Sequence, residues 1–146
     1  MNVFVANEQE LPVDSERLVA LANHTLVAED VGEEAELSVL LIASDHMRRL
    51  NARFAGNDYA TDVLAFPMTE ETDDEESRIL GDVVICPRVA EENARRIGHG
   101  LDHELDTLLI HGTLHLLGYD HQGKADKALM DRRLRELLSS FTSAAP

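Results

Sequence analysis

Cysteine is nearly absent from this chain. Cys86 stands alone, which excludes an internal disulfide framework. Long apolar runs are missing too: nothing approaches the ~20 residues that a membrane span needs. The first residues, Met1-Asn2-Val3-Phe4-Val5, have neither the basic patch nor the long apolar stretch of a secretory signal. Together these features predict a cytoplasmic protein with no membrane association. Positive charge is scarce as well. Thirteen Lys and Arg face 28 Asp and Glu, for a formal net charge of −15. Such a balance argues against non-specific binding to nucleic acid, which needs a basic surface, but leaves room for a local basic groove. The arginines cluster at Arg48, Arg49 and Arg53, at Arg95 and Arg96, and at Arg132, Arg133 and Arg135. Charges so grouped read first as solvated helix faces.

What is present suits one folded domain over residues 1–146. The chain is 44% hydrophobic, enough for a single core. Val3–Val5 reads as a short first strand. Asp14 or Ser15 caps a helix through about Val27, with Leu18, Leu21, Ala22 and Thr25 at helical spacing. Glu36–Ala43 is a compact apolar run and reads as a buried strand. Ser44 or Asp45 then caps a short helix through about Phe54, and Gly56-Asn57-Asp58 marks a turn. Asp62–Pro67 and Ile79–Cys86 are two further strands. Between them, residues 69–77 are so acidic that they read as a solvated hairpin loop. Pro87 opens a helix to about Ile97, which Gly98 and Gly100 end. Asp102 is the expected cap of the next helix, with Glu104 and Asp106 in its favourable first turn. A last helix runs from Lys124 to about Phe141, leaving 142–146 as a frayed tail. The order predicts an α+β fold: a roughly four-stranded mixed sheet packed by about five helices, the helix through His111 being central.

The chemistry concentrates in residues 111–121, His-Gly-Thr-Leu-His-Leu-Leu-Gly-Tyr-Asp-His. Three imidazoles fall at relative positions 0, 4 and 10. Residues four apart share a helix face, so His111 and His115 can address one ion. Gly118 can take the left-handed conformation that ends a helix, after which the chain can return His121 as a third ligand. Three imidazoles and an open fourth position make a catalytic type of zinc site, although nickel, cobalt and copper also suit such donors. A zinc ion so held lowers the pKa of its water to ~7. The zinc-protease pattern shares this spacing but places a glutamate directly after the first histidine, as general base. Here that residue is Gly112, which cannot accept a proton, and a protease of the usual kind is excluded. Asp120 can orient a ligand imidazole or simply serve the turn. His99 and His103 read as exposed. Glu104 lies about two turns from His111, far for a base. No catalytic side chain is assigned.

This motif closely resembles the signature of the YbeY-type bacterial endoribonucleases. Further blocks in the family's order carry the likeness: Asn7-Glu8-Gln9, Leu50-Asn51, Thr61-Asp62-Val63-Leu64-Ala65-Phe66-Pro67, and Leu80-Gly81-Asp82-Val83-Val84-Ile85-Cys86-Pro87. The resemblance implies one Zn²⁺ per chain held by His111, His115 and His121. It also implies cleavage of single-stranded RNA, a part in 16S rRNA 3′-end maturation and ribosome quality control, and association with ribosomal subunits. The family's usual arginine after the Leu-Asn pair falls on Ala55, its usual strand serine is Ala65, and the last helix opens with Lys124 and Lys127 instead of acidic residues. The alternatives are a ribosome-assembly factor with a mainly structural metal, or another zinc hydrolase acting on an amide or ester.

Overall fold

The computed structural model describes residues 2–68, 78–119 and 122–144. The elements run β1 (Asn2–Glu8), α1 (Ser15–Ala28), β2 (Ala35–Ile42), α2 (Ser44–Ala55), β3 (Val63–Pro67), β4 (Arg78–Ile85), α3 (Pro87–Ile97), α4 (Leu101–Leu116) and α5 (Lys124–Ala144). The strands form one sheet in the order β1-β2-β4-β3. β1 and β4 both run parallel to β2, while β3 is antiparallel to β4, so the sheet is mixed as expected. The acidic stretch 69–77 lies outside the described residues; the strands on either side of it pair directly.

Period-2 alternation sorts the strand residues onto two faces. Leu37, Val39, Leu41, Val83 and Ile85 build the larger core with α1, α4 and α5. From α4, Leu105, Leu109, Ile110 and Leu114 are at most 1% exposed. Burying each such side chain contributes about 2 kcal/mol, which holds α4 firmly on the sheet. On the opposite face, Ile42, Val84 and Cys86 pack with Met47 of α2, and Leu64, Phe66 and Leu50 border them. No helix among the described residues is long and apolar enough to cross a membrane.

Two helix starts differ from the sequence expectation. Asp14 caps α1 as foreseen, accepting from the Arg17 backbone N–H at 3.1 Å. The caps of α2 and α4, however, are Ala43 and Gly100, not Ser44, Asp45 or Asp102. In each case the residue in extended conformation, with ψ near 160°, comes before the polar one. Asp45 and Asp102 therefore sit inside the first turn, where they face the positive end of the helix dipole. At the other end of the chain, α5 continues through residues 142–144. Phe141 packs against the core and the Thr142 hydroxyl donates to the Leu138 carbonyl at 2.9 Å.

Candidate metal centre

α4 presents His111 and His115 from one face, one turn apart, with His111 half-buried and His115 exposed. What turns this face outward is Gly112. A Cβ at that position would lie 2.7 Å from Val83 Cγ1 of β4. The helix can approach the sheet so closely only because residue 112 has no side chain, and Gly112, Thr113 and Leu114 are accordingly buried. The same contact explains the missing protease base. The position after the first histidine faces β4, and no glutamate fits there.

α4 ends just after His115. Gly118 adopts φ +103°, its N–H donates to His115 O at 3.1 Å, and the Tyr119 N–H donates to Leu114 O at 3.0 Å. This pair of bonds is the Schellman termination that the glycine foretold. Tyr119 is then tied down by its side chain. Its hydroxyl donates to Glu29 Oε2 at 3.0 Å. Glu29 Oε1 accepts from Arg133 Nε of α5 at 2.6 Å, and Arg133 Nη2 donates to the Ala28 carbonyl at 3.0 Å. That carbonyl belongs to the last turn of α1 and has no partner within the helix. Burial first, then the bond to Glu29, pushes the Tyr119 phenol above its ordinary value, so it is a donor at neutral pH. Nothing in the spacing of Glu29, Tyr119 and Arg133 announces this contact; they are separated by 90 and 104 positions from Glu29.

Asp131 of α5 lies within range of the His111 charge. The Lys127 ammonium, which bonds it at 2.9 Å, is the main cause of its lowered pKa, with smaller contributions from Arg135 and His111. His121 and Asp120 lie outside the described residues. Among the described residues, no three His, Cys, Asp or Glu side chains are arranged to hold a metal ion. The donor chemistry of His111 and His115, two imidazoles one turn apart, fits a zinc-type ion.

The other sequence candidates lie at the start of α4 and, across the sheet, around α2. His99 and His103 are exposed as expected, their ring centroids 4.6 Å apart. Asp106 is not the first-turn charge that the sequence suggested. It is buried and takes a two-pronged contact from Arg17 of α1, at 3.4 Å from Nε and 2.5 Å from Nη2. Asn51 is buried, and its amide donates to the Tyr59 carbonyl at 2.9 Å, closing the turn after α2. Ala55 ends α2 on the exposed surface. Arg48, Arg49 and Arg53 line a groove of about 820 Å³ beside that turn. Arg48 bonds Asp58 at 2.7 Å there, and the Arg53 guanidinium lies 5.2 Å from the centroid of the Phe54 ring.

Comparison with known proteins covers nearly the whole of this architecture. The profile of the family described as Endoribonuclease YbeY matches residues 4–142. The Endoribonuclease YbeY of Salinispora tropica is 42% identical to this chain, over 98% of each protein. That of Thermobifida fusca is 45% identical over 97% of this chain and 94% of its own length. The solution structure of TM1509 from Thermotoga maritima superposes with a TM-score of 0.62 at 30% identity, covering 97% of this chain and 92% of that one. With the fold, the histidine-bearing α4 and the matching length in agreement, the chain belongs to the endoribonuclease YbeY family.

Proposed function

We propose that this protein is a zinc-dependent endoribonuclease that cleaves single-stranded RNA, with His111, His115 and His121 holding one Zn²⁺ per chain. The observation that carries the reading is the pairing of His111 and His115 on the outward face of α4, within a chain that matches the family over residues 4–142. Zinc, when bound, supplies Lewis acidity towards a phosphoryl oxygen and a nucleophile at neutral pH. The protein's own residues supply the frame. Gly112 seats α4 against Val83, and the buried leucines of α4 hold that seat rigid. Rigid seating matters because a misplacement of about 1 Å can cost two orders of magnitude in rate.

The substrate in this reading is ribosomal RNA at the 16S 3′ end, with ribosomal subunits as partners and the cytoplasm as location. End-group analysis of cleaved RNA tests the chemistry. Attack by water leaves 5′-phosphate ends, whereas attack by the neighbouring 2′-hydroxyl leaves a 2′,3′-cyclic phosphate and spares DNA. Intact RNA after incubation with zinc-loaded protein across a range of salt concentrations contradicts the nuclease reading.

A further inference from the structure

We propose that Tyr119, Glu29 and Arg133 are positioning residues that lock the end of α4 behind His115, and thereby set how tightly the histidines hold their metal. The inference rests on the reading of His111, His115 and His121 as ligands. Two of those three histidines stand on α4, whose seat on the sheet is set by Gly112 and the core. His115 stands in the last turn of that helix, so its place depends also on how the helix ends. Gly118 sets the direction in which the chain leaves the helix, and its N–H bonds the His115 carbonyl itself. Tyr119, four residues beyond His115 and two before His121, is the next fixed point.

The fixing is unusually complete for a loop residue. The Tyr119 backbone N–H bonds Leu114, its ring packs against the main core, and its hydroxyl bonds Glu29. Glu29 is itself held by Arg133, with side chains 13% and 27% exposed respectively, so the carboxylate has little freedom to follow the loop. Arg133 in turn grips the end of α1 through Ala28 O and bonds Glu136 at 3.1 Å on its own helix. Three elements thus converge on one carboxylate: the end of α1, the segment after α4, and α5. A charge-assisted bond is shorter and stronger than a neutral one, and the contact between Arg133 and Glu29 measures 2.6 Å. Partners that orient the ligands of a metal without touching it typically change its affinity by about 10–100-fold.

The test uses the full chain and two conservative variants, Tyr119→Phe and Glu29→Gln, which keep the volume of each side chain. Zn²⁺ affinity is measured by competition against a chelator, and Co²⁺ is substituted to read the ligand field in the visible spectrum. Melting of the metal-free proteins is followed in parallel. The expected result is one equivalent of Zn²⁺ bound by the wild type, about 10-fold weaker binding in both variants, and altered Co²⁺ bands. Without metal both variants are expected to stay folded and to melt only a few degrees below the wild type, as the loss of one partly buried hydrogen bond dictates. Wild-type Zn²⁺ affinity and Co²⁺ spectrum in both variants overturn the positioning role alone. Failure of the wild type to bind one equivalent, or unchanged binding in His111→Ala, overturns the metal reading and this role with it.

Discussion

Gly112 and Val83 meet so closely that a single added carbon on the helix would stand 2.7 Å from the valine Cγ1. That contact decides both the seat of α4 and the direction in which His111 and His115 face. Gly112→Ala gains about 1 kcal/mol of helix propensity but must push a buried, stiff, β-branched side chain, at about 1–3 kcal/mol. The expected outcome is a net loss of stability of about 1 kcal/mol in urea unfolding, with weakened metal binding. Adding Val83→Ala restores the space, so the double variant should lose less than the sum of the two single losses. Simple additivity would show that the contact does not set the helix position.

The Arg17–Asp106 pair makes a second prediction. The Asp106 side chain is 5% exposed, and its carboxylate is left without its partner in Arg17→Met. Breaking a fully buried pair costs about 3–5 kcal/mol, but Arg17 is 41% exposed and water can partly replace it, so about 2 kcal/mol is expected. Replacing both residues, Arg17→Met with Asp106→Leu, should cost less than Arg17→Met alone, since no charge is then stranded. Thermal or urea unfolding of the three proteins reads this directly.

A third prediction concerns pH. The hydrogen bond from Arg48, and then its charge, holds the Asp58 carboxyl below its ordinary 3.8. A folded value below the unfolded one means that the pair stabilises the fold fully above 3.8, and that this contribution fades as pH falls through the lower folded value. A carboxyl NMR titration should place the Asp58 midpoint below 3.8, and Arg48→Gln should return it towards that figure. An unchanged midpoint in the variant would show that the pair does not form in solution.

The end of α1 supplies a fourth. Asp30 adopts φ +57° just past the helix, and Val31 N bonds Leu26 O at 3.0 Å behind it. Glycine takes this left-handed position without the steric cost that aspartate meets. Asp30→Gly is expected to stabilise by about 0.5–1 kcal/mol, a rise of about 1–4 °C in melting temperature. Because Glu29 is the adjacent residue, an unchanged Tyr119–Glu29 contact should accompany the gain, as read by Zn²⁺ affinity equal to that of the wild type.

How much of this was legible in the sequence depended on the range of each interaction. Local rules reached far: the Asp14 cap, the Pro87 start of α3, and the Gly118 stop after His115 are all decided by neighbours in the chain. Ser44, Asp45 and Asp102 misled because several polar residues in a row offer equally good caps. The backbone leaving the preceding segment chose Ala43 and Gly100 instead. Asp106 read as a first-turn charge because its partner, Arg17, lies 89 positions away. The network around Glu29 was hidden for the same reason. Gly112 was legible as a missing base but not as a packing contact, since only the fold brings Val83 to it.

The most direct measurement of the central claim is cleavage of a single-stranded RNA by metal-stripped protein titrated with Zn²⁺, beside His115→Ala treated in the same way. The account predicts that wild-type activity rises to a plateau at one equivalent, while His115→Ala, melting at the temperature of the metal-free wild type, stays inactive. Cleavage by the stripped protein, or by His115→Ala at the wild-type rate, would contradict it.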